Sequence, residues 1–155
     1  MSGNIKARLD ELGLTLPTPF ISNANYIPFV ISRDLLFIAG QGPMSDGTPA
    51  YIGKVGGAVD EKTAYEAARL TGLNLIAQAN HACDGNLDRV VRCIRLFGLI
   101  NSVPGFTDLP QVMNGASDLM LEVFDDRGRH VRSTIGAVAL PHEMTIEIDG
   151  IFAIQ

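Results

Sequence analysis

Residues 127–154 read RGRHVRSTIGAVALPHEMTIEIDGIFAI, two β-branched runs separated by Leu140-Pro141-His142-Glu143. Branched side chains fit a pleated, half-buried surface, so the runs predict two strands, and the polar break between them predicts a hairpin. Arg132 and Glu147 are lodged among apolar neighbours in these strands. A guanidinium and a carboxylate stay out of buried strands unless they are paired or hold something polar, which makes this pair the first candidate for a functional site. With the turn centred near Pro141-His142, both side chains fall on one sheet face, roughly 14 Å apart between Cα atoms at about 3.4 Å per residue. Thr134 and Gly136 share that face in the same register, the first offering a hydroxyl and the second space. A shift of one residue would send Arg132 and Glu147 to opposite faces.

Upstream, residues 109–124 (LPQVMNGASDLMLEVF) carry an apolar stripe of Leu119, Met120 and Val123 and predict a helix, broken or started near Asn114-Gly115 and closed by Asp125-Asp126-Arg127-Gly128. Residues 87–100 predict a strand with apolar side chains on both faces, interrupted by Arg92 and Arg95. A sheet with helices on one side exposes its other side, so this strand predicts a second cover, most simply another subunit. Residues 60–83 predict the main helix, in which Ala68, Gly72, Leu75, Ala79 and Ala82 recur on one face and permit close approach to a sheet. Residues 26–31 and 35–39 predict a hairpin through Ser32-Arg33-Asp34. Residues 5–13 predict a short first helix, and Pro17 and Pro19 make 14–20 an extended lead-in. The order β, β, glycine-rich loop, α, β, α, β, β is α+β, with helices packed on one sheet face.

The length of 155 residues fits one domain over 1–155, of which 1–20 form the N-terminal helix and lead-in. A net charge of −5 argues against a binder of nucleic-acid backbone, which presents a basic stripe. It leaves room for a small anion, because one buried Arg attracts it locally. Gly40 and Gly42 begin a GxG pattern, but Ser45 stands where a nucleotide loop needs its third glycine, and the glycines read as turn residues. Cys83 and Cys93 read as core thiols. Three scattered histidines make no metal site, and no cofactor motif is present. Residues 1–14 lack a signal-type apolar run, and no apolar run reaches the ~20 residues a membrane span requires, so the expectation is a cytoplasmic protein without a membrane partner.

Residues 35–43 (LLFIAGQGP), 85–90 (GNLDRV), Arg132-Ser133, Leu140-Pro141 and Ile146-Glu147-Ile148, in this order and spacing, resemble the Rid family of reactive-intermediate imine deaminases, also labelled endoribonuclease L-PSP-like. The resemblance runs from about Tyr26 to Phe152. It implies a chorismate-mutase-like α+β fold, a homotrimer, and small-molecule clefts between neighbouring subunits. It also implies hydrolysis of 2-imino acids or their enamine tautomers to 2-keto acids and ammonia without a cofactor. Arg132 matches the family arginine that clamps the substrate carboxylate, and Glu147 the glutamate associated with the attacking water. Gly40 keeps the backbone of the family's Gly-Gln pair, though Ala39 replaces the common Ser before it. Thr134 occupies the place of a frequent Cys, and Asn114 that of the second-helix asparagine. The pocket tyrosine corresponds to Tyr26 by distance or to Phe29 by its preceding proline.

The residues support the same chemistry by themselves. Imine hydrolysis needs a fixed electrophilic carbon, a water and a proton relay. The planar fork of Arg132 grips a carboxylate bidentately. Burial among Ile146 and Ile148 would raise the pKa of Glu147 toward a range useful for proton transfer. Each residue also has a structural reading: Glu147 as the partner of an arginine at a subunit contact, Asn114 as a helix cap, Arg127 and Arg129 as members of a solvated turn. His130 is a candidate base only if the strand already runs regularly there. The function expected is cofactor-independent deamination of small imino or enamino acids, with a non-catalytic binder of small carboxylates as the alternative and a ribonuclease third.

Overall fold

The computed structural model describes residues 4–155. Its centre is a five-stranded sheet in the order β1-β2-β7-β5-β6, built from β1 Phe29–Ser32, β2 Leu35–Gln41, β5 Val90–Asn101, β6 Val131–Ala137 and β7 Ile146–Ile154. The short strands β3 Met44–Ser45 and β4 Thr48–Pro49 form a separate hairpin around Asp46-Gly47. Helices α2 Glu61–Ala82 and α3 Leu109–Phe124 cover one face of the large sheet, and α1 Asn4–Glu11 packs beside α3, where Arg8 Nε donates to the Glu122 carbonyl at 2.8 Å. Helices thus cover one face of the α+β sheet as the sequence predicts, with α1 of the N-terminal segment packed at their side.

The C-terminal runs are strands, but they do not form a hairpin. β5 lies between them, paired in parallel with β6 and antiparallel with β7. The cause is α3, which carries the chain from the end of β5 over the sheet so that β6 returns in the same direction as β5. β7 then enters between β2 and β5. The N-terminal hairpin is present through Ser32-Arg33-Asp34-Leu35, but its first strand begins at Phe29, leaving Tyr26 outside regular structure. Residues 87–89 are a 3-10 turn rather than strand, and its Asp88 carboxylate accepts the Asn4 and Ile5 amides at 2.9 Å, capping α1.

The core is single and lies between sheet and helices. Leu36 and Ile38 of β2, Leu96 and Ile100 of β5, and Ile146, Ile148 and Phe152 of β7 point into it against Leu75 and Ile76 of α2 and Met113, Leu119 and Met120 of α3. Both cysteines are buried there as free thiols, and burial pushes that of Cys93 up to about 12. The opposite sheet face is open in one copy of the chain. It carries Phe37, Val131 and Ile135, all exposed, and Arg95 stacked over the Phe97 ring at 5.3 Å.

Helix α3 runs unbroken through Asn114-Gly115, against the sequence expectation of a break or cap there. Gly115 is a packing residue: a Cβ on it would strike the Tyr65 carbonyl of α2. Gly72 of α2 similarly faces Ala116 and Leu119, so the small stripe of α2 meets α3 as well as the sheet. Asp60 caps α2 by accepting the Thr63 amide at 2.7 Å. Because Gly115 meets backbone rather than a movable side chain, Gly115→Ala should destabilise the protein by about 3 kcal/mol or more, read as a lowered denaturant midpoint.

Candidate functional site

Arg132 sits at the level of Leu96 in β6, the last strand of the sheet, and shares the helix-covered face. Its Nη1 donates to Ser117 Oγ at 2.8 Å and its Nη2 to the Pro110 carbonyl at 3.2 Å, both on α3. Among the described residues no carboxylate lies within ion-pair distance of it. Two of the five guanidinium N–H groups are thus committed to the protein and three remain for an anion. The holding residues follow from helical spacing. Pro110, Asn114 and Ser117 stand on one stripe of α3, which places Asn114 beside the arginine's two anchors and leaves it no capping role.

Thr134 and Gly136 continue the Arg132 face along β6 as expected. The Thr134 Oγ1 is buried and has no hydrogen-bond partner. Cavities flank this row at both ends. One of about 260 Å³ is lined by Ser117, Leu121, Gly128, Arg129, His130 and Arg132. The other, about 430 Å³, includes Lys54, Phe106, Leu109 and Gly136.

Sequence reading passed over Ser117 and left His130 conditional, yet the two form one hydrogen-bonded unit with Arg132. Ser117 Oγ lies 3.0 Å from His130 Nε2, and His130 Nδ1 lies 2.7 Å from the Gly128 carbonyl. Burial holds the imidazole below the usual histidine range, the Arg132 charge acts in the same direction, and the bond to Gly128 opposes both. The available signal was a polar Ser three residues after Asn114, on the same stripe of the helix. Its partner His130 is thirteen residues away across a turn.

Glu147 belongs to a different face. It pairs with Leu99, one step out of phase with Leu96 on β5, and so points to the open side of the sheet. Arg132 and Glu147 therefore lie on opposite faces of one copy, roughly 14 Å apart between backbones, contrary to the hairpin register expected from sequence. Glu147 instead meets Gly40. The β2 register shifts between Ile38 and Gln41, and a Cβ on Gly40 would run into the Glu147 carboxylate. Burial, reinforced by Asp149 two residues along the same face, pushes the Glu147 carboxyl above its usual range. A cavity of about 320 Å³ adjoins this group, lined by Ile27, Phe29, Val30, Phe37, Gly40 and Asp149, among others.

Of the two candidate aromatics, Phe29 lines that cavity, its ring packed edge-on against His81 of α2 at 5.6 Å. Tyr26 is 52% exposed and borders none of these cavities. The sequence-selected residues thus separate into two groups. Gly40 and Glu147 form one, and Arg132, Thr134 and Asn114 form the other; the Phe29 ring turns to the helix-covered face against His81 and joins neither. Among the described residues no group of three His, Cys, Asp or Glu side chains could hold a metal ion, and no helix is long and apolar enough to cross a membrane.

Residues 6–149 match the model of a family described as YjgF/chorismate mutase-like, putative endoribonuclease. Protein TCP17 of Trypanosoma cruzi is 37% identical over 151 residues, covering 97% of this chain and 94% of its own length. The crystal structure of Atu1372, a protein of unknown function from Agrobacterium tumefaciens, superposes with a TM-score of 0.91 at 44% identity, over 97% of this chain and 92% of its own. A putative endoribonuclease from Shewanella oneidensis superposes with a TM-score of 0.93 at 33% identity, over 97% and 99%.

The Glu147 environment gives a pH prediction. Its folded pKa lies above the unfolded value, so the stability linked to its proton is present at low pH and lost as pH rises through the folded pKa. Glu147→Gln, which mimics the protonated form, should raise Tm at pH 7. That gain should vanish below the ordinary carboxylate range. Calorimetric scans of both proteins from pH 3 to 8 check it.

Proposed function

We propose, for a chain that belongs to the YjgF/chorismate mutase-like family, that it hydrolyses small 2-imino or enamino acids to 2-keto acids and ammonia, without a cofactor, in a cleft between two copies of itself. The observation that carries this reading is the posture of Arg132. Two of its donors are held by α3, its outer N–H groups adjoin a cavity, and no carboxylate among the described residues neutralises it. A fixed, uncompensated guanidinium beside open space fits a planar carboxylate ligand.

The division into half-sites supports the two-copy cleft. Parity along the strands keeps Arg132 and Glu147 on opposite faces of one copy, so a site that uses both needs the Glu147 half of one copy against the Arg132 half of another. Phe37, Val131 and Ile135 on the open sheet face supply apolar area for such an assembly. We take the assembly to be the homotrimer implied by resemblance.

In the cleft, Arg132 fixes the substrate carboxylate and with it the position of the C2 carbon. Asn114 and the Thr134 hydroxyl face the same end. Glu147, beside Gly40, holds the attacking water from the other side by a hydrogen bond. Water adds to C2, the carbinolamine collapses, and ammonia leaves. Orientation by Arg132 contributes most here, because holding reactants in place removes the entropy of bringing them together. The acidic net charge of −5 counts against the ribonuclease reading.

Purified protein mixed with imino acids generated in place from amino acids should accelerate ammonia release over the spontaneous rate. Arg132→Ala should abolish the acceleration, and Arg132→Lys should lose about tenfold or more because a point charge cannot replace the fork. Absence of acceleration with every imino acid tried would remove this reading. Thermal stabilisation by 2-keto acids without turnover, surviving Glu147→Gln, would replace it with the carboxylate binder.

A further inference from the structure

We propose that His130 is the proton acceptor of the Arg132 cleft and works through the Ser117 hydroxyl. This rests on the imine-hydrolysis reading and names the base that reading leaves open. The direction of every hydrogen bond in the chain is forced by chemistry. A guanidinium only donates, so Ser117 Oγ accepts from Arg132 Nη1 at 2.8 Å. A carbonyl only accepts, so His130 Nδ1 carries the hydrogen of the 2.7 Å bond to Gly128. In the neutral ring Nε2 is then a bare lone pair, and the one hydrogen of Ser117 is directed at it across 3.0 Å.

One position in this chain stays open. Ser117 Oγ has two lone pairs and Arg132 uses one, so the second can take a hydrogen from a water in the cavity that these three side chains line. That water is the one whose other hydrogen the Glu147 carboxylate of the facing copy holds, and it sits beside the guanidinium donors left for the substrate carboxylate. The charged groups facing His130 are Arg132 from β6 and Arg129 in the turn before it, the latter bonded to Asp126 at 3.0 Å. From α3 the facing side chains are Ser117 and Leu121, both uncharged. Its burial, and with it the Arg132 charge, keep the ring neutral and its Nε2 lone pair free to accept a proton.

The water oxygen bonds to C2 of the protonated imine, and the C=N π pair moves to nitrogen. One water proton passes to Ser117 Oγ as the serine proton passes to Nε2, leaving a neutral carbinolamine and a cationic His130. That proton returns through Ser117 to the amine nitrogen. The C–N bond breaks with its pair on nitrogen, and the hydroxyl proton leaves to water as the keto group forms. Arg132 thus has a second task besides binding, since its Nη1 stabilises negative charge on the serine oxygen as protons cross it.

The first test is kinetic. In protein active on an imino acid, His130→Gln should lower kcat about a hundredfold with KM changed less than threefold, as expected for loss of a general base, whereas Ser117→Ala should lower kcat as far and also raise KM, because Arg132 loses its Nη1 anchor. His130→Ala should regain activity with added imidazole. The wild-type kcat/KM should fall on the acid side as His130 takes up a proton, and the variants should lack that limb. The second test needs no turnover: nitrogen NMR at pH 7 should find His130 with its hydrogen on Nδ1. A hydrogen on Nε2, or variants with wild-type kcat and pH profile in a protein that Arg132→Ala still inactivates, overturns the relay and leaves the imine reading standing. A wild-type protein inactive on every imino acid overturns both.

Discussion

The twelve residues of β5, Val90–Asn101, lie between the two strands that carry the ionisable residues of the site. Side chains alternate along a strand with a period of two, so each neighbour's face is set by its partner on β5. Leu96 points into the core, and Arg132 at its level does the same; Leu99 points out, and Glu147 follows it. Neither charge can change face without a shift of its whole strand, which would bury Glu147 and Asp149 and expose Ile146, Ile148 and Phe152. The hydrophobic core thereby holds Arg132 and Glu147 on opposite faces within one copy. Their separation is as well determined as the packing of Ile148.

Helix packing sets the Arg132 half with comparable firmness. Gly115 against the Tyr65 carbonyl and Gly72 against Ala116 bring α2 and α3 together at backbone distance. The Arg69–Glu122 pair at 2.6 Å and the Tyr65–Asp118 bond at 2.8 Å then fix the rotation of α3 from its other side. With rotation set, the stripe through Pro110, Asn114 and Ser117 must face β6. Arg132 is therefore held by a helix that is itself held on two sides. A cation aimed in this way loses little side-chain freedom when it binds, and rotamer-rich side chains otherwise cost about 0.5–1.5 kcal/mol each on ordering.

Much of this was legible in the sequence where local pattern decides the outcome. Helical spacing marks α2 to within a residue at each end, and the second β-branched run of the C-terminal stretch is the observed β7. Arg132, Thr134 and Gly136 share a face because alternation within one strand is a local property. The order of strands is not local. Two β-branched runs joined by a short turn read as a hairpin, yet the parallel pairing of β6 with β5 depends on α3 crossing the sheet, and no residue of 138–145 records that. Misplacing that pairing also misplaced the face of Glu147. The Ser117–His130 contact was hidden for the same reason, since it joins a helix to the start of a strand across a turn of 3-10 geometry at Asp125–Gly128.

Charge is distributed between the halves as the faces require. Glu147 and Asp149 share the open face, where burial and, for Glu147, its acidic neighbour raise the cost of ionisation. Arg132 holds an uncompensated positive charge on the other face, in a protein of net charge −5. Each half is thus electrostatically incomplete in the copy that carries it, and the two are incomplete in opposite senses. Placing a Glu147 face against an Arg132 face relieves both, but Coulomb attraction across several ångströms of water is weak unless the gap is filled. An organic anion on Arg132 with an electrophilic, partly cationic carbon toward Glu147 fills it with matching sign at each end. In the proposed reaction a protonated imino acid has that charge distribution, whereas the 2-keto acid keeps its carboxylate and loses the cationic nitrogen, so the same arrangement would favour substrate over product.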